Sequence, residues 1–140
     1  MFELHADLRR DCFAIGNFPL CHLLVMNDAN FPWFILVPAR ADTREIYQLD
    51  SADQQQLLHE SSYLAQRLAE EFNADKMNIA ALGNITPQLH VHHIVRYRSD
   101  PAWPKPVWGQ LPSIPYSASQ RADLLARVKR CLTRDVMFFG

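Results

Sequence analysis

Three short runs of aliphatic and aromatic residues open the chain, Cys12 to Phe18, Cys21 to Asn27 and Trp33 to Val37, and very few residues separate them. Pro19 breaks the first from the second, and Asp28-Ala29-Asn30-Phe31-Pro32 breaks the second from the third. A parallel crossover needs about a dozen residues or more, so connections this short force antiparallel neighbours. The fold must therefore contain an antiparallel sheet that begins near the N-terminus.

Ser51-Ala52-Asp53-Gln54 reads as a capping box, with Ser51 accepting from an early helix amide and Gln54 reaching back. The helix it opens runs to about Phe72. Leu57, Ser61, Leu64, Leu68 and Phe72 recur at spacings of three and four, one stripe to lay on the sheet. Lys76 to Leu82 and Gln88 to Arg96 are two further strands, joined as a hairpin through Gly83-Asn84-Ile85-Thr86-Pro87. Pro101, Pro104, Pro106, Pro112 and Pro115 then exclude a regular helix or central strand, because each lacks an amide hydrogen and restricts its neighbour. That stretch should wrap a surface, anchored by Trp103 and Trp108. Ser117-Ala118-Ser119-Gln120 offers a second capping box, before a last helix with Leu125, Val128 and Leu132 on its apolar side. The sum is an α+β fold, a five-stranded antiparallel sheet with two main helices. Residues 2–105 form the core domain, and residues 106–140 pack on it.

A chain of 140 residues can bury roughly two-thirds of its unfolded surface, enough for one core. With 49% hydrophobic and 21% charged residues, it carries neither a disordered nor a membrane signature. The start, Met1 to Asp7, lacks the basic region and apolar core of a secretory signal, so the cytoplasm is expected. Cys12, Cys21 and Cys131 are odd in number and lack a CxxC spacing, as reduced structural thiols would be. The net charge is -1 and the basic residues are scattered, which argues against a nucleic-acid partner.

The strongest departure from chance is a cluster of histidines at His90, His92 and His93. On a strand, Gln88, His90 and His92 share one face while Leu89, Val91 and His93 share the other. A row of two imidazoles and an amide is costly to bury without partners, so a purely structural purpose is the less economical account. His5, His22 and His59, each alone in its segment, read as ordinary core or surface residues. The row supports two chemistries. A neutral imidazole is a competent nucleophile toward phosphorus near pH 7, and a second one can donate to the phosphate oxygens as charge builds there. The same pair could instead ligate zinc or copper, with Cys21 or His22 as a third ligand. Arg96 falls on the His90 face, where a guanidinium could attract a polyphosphate.

These residues resemble the histidine triad (HIT) family of nucleotide hydrolases and transferases, whose signature is His-φ-His-φ-His-φ-φ with φ apolar. Gln88-Leu89-His90-Val91-His92-His93-Ile94 fits that frame with Gln88 in the first histidine position. Trp33 to Pro38 looks like the family's strand ending in proline, and Asn78 sits where its sheet commonly carries an asparagine; the resemblance covers about residues 2 to 100. It implies that His90 becomes nucleotidylated, that His92 binds the phosphate, and that Asn27 or Asp28 contacts the ribose. Asn84 and Thr86, on the approach to the motif, would make polar contacts to phosphate. It further implies a two-step route through a nucleotidyl-histidine, a homodimer formed through sheet edges, and no cofactor or metal. Two positions depart from the signature. Gln88 cannot shuttle a proton, so acid help to the leaving group should be weak, with slow turnover or a preference for leaving groups that need little such help. His93 occupies an apolar position and should pack beneath the sheet. A nucleotide-binding module without useful turnover, or a metal-binding protein, are the alternatives.

Overall fold

A computed structural model of the chain describes residues 1–140. The three N-terminal runs form β1 (Cys12–Asn17), β2 (Cys21–Met26) and β3 (Trp33–Pro38), each antiparallel to the next. After helix α2 (Ser51–Phe72), β4 (Lys76–Ala80) and β5 (Val91–Arg96) return as an antiparallel pair, and β5 docks against β3. Helix α3 (Ala118–Cys131) precedes the short β6 (Met137–Phe138).

The sheet thus has six strands in the order β4-β5-β3-β2-β1-β6, one more than the sequence reading expected. The added strand pairs with Gly16 and Asn17 of β1. A two-residue strand has no periodicity to detect, but Gly16 marks its place. A Cβ there would lie 2.6 Å from the Met137 carbonyl oxygen, so only glycine lets the C-terminal chain approach. A bulge between Ala14 and Gly16 adjusts the register at the same point.

Both faces of the sheet are covered. On one, Leu23, Val25, Phe34, Leu36, Val91 and Val95 pack against Leu57, Leu64, Leu68 and Phe72 of α2 and Leu124 and Val128 of α3. The stripe read from the sequence is the buried stripe of α2. Its cap lies one residue earlier than expected: Asp50, not Ser51, accepts from the amide of Asp53. The Ser117 box at the start of α3 forms as read. A buried residue beside the α2 stripe carries a tie across the layers, since the Glu60 carboxylate accepts from the amides of Leu20 and Cys21, both at 2.9 Å.

The second face, with Leu24, Trp33, Ile35, Val37 and Ile94, is covered by Leu8 and by Phe31, Ala102 and Val107. Leu8 belongs to α1 (Ala6–Asp11), a short helix with too few apolar positions to show a stripe. The proline-rich stretch wraps this face, as its composition requires. Trp108 meets Trp33 edge-on, and Trp103 lies under the Arg96 guanidinium.

Arg96 does share the His92 face, but its guanidinium is fully engaged. It bonds both oxygens of Asp100, at 2.8 and 3.1 Å, and also Asn78 Oδ1 and the Lys105 carbonyl. At 2% exposure it joins the end of β5 to the wrapping segment and does not face a ligand. Removing one partner of such a pair leaves a buried charge, a loss of about 3–5 kcal/mol. Asn78 thereby has a structural role, positioning Arg96. No helix is long and apolar enough to cross a membrane.

Candidate active site

The strand expected from Gln88 begins only at Val91, and Gln88, Leu89 and His90 approach it as irregular chain. The ladder has run out of partners there. Leu36 pairs with Val91 and Ala80 with His92, beyond which β4 has turned away and Leu89 bonds instead to the Thr43 carbonyl. His90 and His92 nevertheless stay neighbours, with ring centroids 5.0 Å apart at 71°.

The two rings are held in opposite tautomers. His90 Nδ1 lies 2.6 Å from the Gln88 carbonyl oxygen. A carbonyl only accepts, so Nδ1 carries the proton, and a neutral His90 keeps its lone pair on Nε2. The Trp33 indole N–H donates to His92 Nδ1 at 2.9 Å. An indole only donates, so a neutral His92 carries its proton on Nε2. Burial, reinforced by the neighbouring His90 and His93, pushes His92 down to about 3, which keeps it neutral at ordinary pH. The site therefore offers one ring nitrogen with a free lone pair and one N–H donor, side by side.

His93 points to the helical face, as its parity requires. Its Nδ1 donates to the Val91 carbonyl and its Nε2 accepts from the Ser61 hydroxyl at 2.7 Å. Burial lowers it to about 4. It fastens β5 to α2 and takes no part in the cleft.

His90 and His92 line a cleft of about 430 Å³. Asn84 and Thr86, both singled out in the sequence, line it with Gly83, whose φ of 100° turns the loop inward. Helix α1 adds Asp7, Arg10 and Asp11 to the lining, Asp7 beside Thr86, and Trp108 packs against His92 with ring centroids 5.0 Å apart. Those α1 residues were not singled out from the sequence. The only signal was an acid-rich and base-rich turn around the single apolar Leu8.

Gln88 does not line the cleft. Its amide is turned toward the N-terminal segment, accepting from the His5 amide and donating to the Glu3 carbonyl, both at 2.8 Å. Asn27 lies in an adjoining hollow of about 370 Å³ that shares Arg10 and Asp11 with the cleft, and its side chain also accepts from the Tyr116 amide. Asp28 is 4% exposed and is spent on its own turn, accepting from the Asn30 amide and side chain and from the Ile114 amide. Of the two ribose candidates, only Asn27 lines an open hollow.

The metal alternative meets a different geometry. Cys21 belongs to the core beneath α2, where burial pushes its thiol far up, and His22 stacks on Phe2 two strands from β5. No three histidine, cysteine or carboxylate side chains gather as a ligand set.

The matching family model is the HIT domain, over residues 8–99. A histidine triad protein from Marinobacter aquaeolei is 51% identical and has a TM-score of 0.94, over 96% of this chain and 98% of that one. One from Bradyrhizobium japonicum is 45% identical, with a TM-score of 0.91, over 93% of this chain and 97% of that one. One from Sinorhizobium meliloti is 43% identical, with a TM-score of 0.92, over 94% and 98%. A Hit-like protein from Bartonella henselae, 13% identical with a TM-score of 0.66 over 89% and 91%, shares the fold. Among curated proteins none matches.

The two buried imidazoles set a pH dependence for the fold. Both ionise near 6.5 in the unfolded chain and far lower in the native one, so between about pH 6.5 and 4 the unfolded state binds up to two more protons. Stability accordingly falls as pH falls through that window. Urea unfolding at a series of pH values from 7 to 5 should show this slope, and His93→Asn should remove about one proton of it. Stability independent of pH over that range would contradict the burial of neutral His92 and His93.

Proposed function

Because the chain belongs to the histidine triad family, we propose that it is a nucleotide hydrolase or nucleotidyl transferase that cleaves at an α-phosphate through His90. The observation that carries this reading is the pair of opposite tautomers, His90 with a free Nε2 and His92 with a donating Nε2–H.

In the first step the His90 Nε2 lone pair forms a bond to the α-phosphorus. The bond from phosphorus to the leaving group breaks, and the leaving group departs with the electron pair and takes a proton from solvent. As His90 becomes cationic, its Nδ1–H tightens on the Gln88 carbonyl, which stabilises the charge. His92 donates to a nonbridging oxygen, where negative charge concentrates. In the second step water, or another hydroxyl acceptor, attacks phosphorus and gives up its proton, and the phosphorus–nitrogen bond breaks to return the lone pair to His90. Asn84 contacts a phosphate oxygen, Thr86 holds Asp7 at the cleft through its hydroxyl, and the hollow beside Asn27 takes the nucleoside. No metal or cofactor enters the scheme, and nucleic acid is not the partner.

Incubation with nucleotides labelled at the α-phosphate should leave acid-labile label on the protein. His90→Asn should abolish it and lower turnover by about 10⁴-fold or more. Nucleotide bound without label, and without turnover, would make the chain a binding module. Label persisting in His90→Asn would end the mechanism.

The same reading includes a homodimer. Strand β4 is a sheet edge, and Ile79, on that edge, is 50% exposed and lines one hollow with exposed Ile46 and Leu58. An edge with an exposed isoleucine and a single charge, Lys76 at its start, calls for a partner strand, which a second copy supplies across a two-fold axis. The native protein should sediment as a dimer and Ile79→Lys as a monomer. A monomeric native protein at micromolar concentration would contradict it.

A further inference from the structure

Of the three motif positions on the histidine face, 88, 90 and 92, only Gln88 keeps its side chain out of the cleft, and both of its polar atoms are spent on the same stretch of backbone. Oε1 accepts from the His5 amide and Nε2 donates to the Glu3 carbonyl, each at 2.8 Å. The amide therefore does for residues 3 and 5 what a neighbouring strand would do, pairing one N–H and one C=O on the same edge. Both atoms sit on one terminal carbon, which suits them to backbone groups two residues apart. Imidazole nitrogens lie on opposite flanks of a ring and do not meet that spacing in the same way.

What the clamp holds is the start of α1. The His5 ring caps the helix by accepting from the Asp7 amide at 3.0 Å, so the residue gripped by Gln88 is also the N-cap. Two residues further on, the Asp7 carboxylate accepts from Thr86 at 2.8 Å, a second tie between the helix and the loop leading to the motif. Arg10 then pairs with both Asp7 and Asp11, and all three line the cleft with His90. Leu8 is the only buried residue of this six-residue helix. So short a helix has little stability of its own, and its place depends on such ties.

We infer that Gln88 is a positioning residue: it fastens the N-terminal segment across the motif so that α1 lines the His90 cleft. On this account the first motif position sets how well the ligand is held and does not take part in proton transfer. The expectation that Gln88 merely weakens acid catalysis is replaced by a separate role. A histidine placed there would lose the clamp without facing the leaving group. This inference rests on the proposed function only for its kinetic arm.

The experiment compares the full chain with Gln88→Ala, Gln88→His and a chain lacking residues 2–5, which removes both clamped backbone groups. The first readout is amide hydrogen exchange over residues 3–11, with thermal melting to establish that each variant is folded. Gln88→Ala should speed exchange in that segment and leave the β3 and β5 amides protected. The second readout is steady-state kinetics on a nucleotide that labels the native protein. With two hydrogen bonds lost, KM should rise about tenfold while kcat falls less than about threefold and its pH profile keeps its shape. The deletion should reproduce the rise in KM, and adding Gln88→Ala to it should change little further. Unaltered exchange over residues 3–11 in Gln88→Ala overturns the clamp whether or not the protein is an enzyme. A Gln88→His variant with higher kcat and a new ionisation in its pH profile overturns it too. If the native chain labels no nucleotide, the proposed function fails and the exchange result alone decides the clamp.

Discussion

The ladder between β3 and β5 lies inside the sheet, joins two wholly buried strands, and determines where each histidine goes. Ile35 pairs with His92 and Phe34 with His93, so the register sends His92 to one layer and His93 to the other. A slip of one residue would exchange them. With the register fixed, Trp33 and His92 are diagonal neighbours on the same face, and the indole N–H reaches Nδ1. On the opposite face Ser61 of α2 meets His93. Two adjacent histidines thus have unrelated work, one in the cleft and one as a fastening between sheet and helix.

The cleft depends on where that ladder ends. His90 lies one residue before β5, where its ring can fold back onto the Gln88 carbonyl in place of pairing in a strand. That bond fixes the tautomer of His90, while the bond from Trp33 fixes the tautomer of His92. A free imidazole exchanges its proton between its nitrogens, and here the scaffold has chosen for both rings before any ligand arrives. For the proposed attack on phosphorus, such preorganisation lowers the reorganisation needed. Gln88 contributes twice, its carbonyl to His90 and its side chain to the N-terminal segment.

Much of this was legible from alternation and spacing. Short connections gave the antiparallel strands, the three-four stripe gave α2, and parity separated His90 and His92 from His93. The signals that misled were local ones with a competing structural use. Arg96 has the right parity, but Asp100, four residues away, captures it. Asp28 stands at the right turn but is consumed by that turn, and Ser51 yields the cap to Asp50. What stayed illegible depends on contacts distant in sequence. The two α1 ties cross 83 and 79 residues, and no periodicity in six residues marks a helix that owes its place to them. Strand β6 is equally short, and only the missing Cβ of Gly16 points to it.

The central claim is that the protein fixes opposite tautomers in His90 and His92. Nitrogen-15 NMR of the histidine rings, with long-range proton correlations and assignment by single substitutions, reads this directly. In each neutral ring the bare nitrogen is expected to be Nε2 for His90 and Nδ1 for His92, and His92 should remain neutral down to about pH 5 because burial holds it near 3. Rapid tautomer exchange in either ring, the reverse assignment, or a His92 that becomes cationic near pH 6 would contradict it.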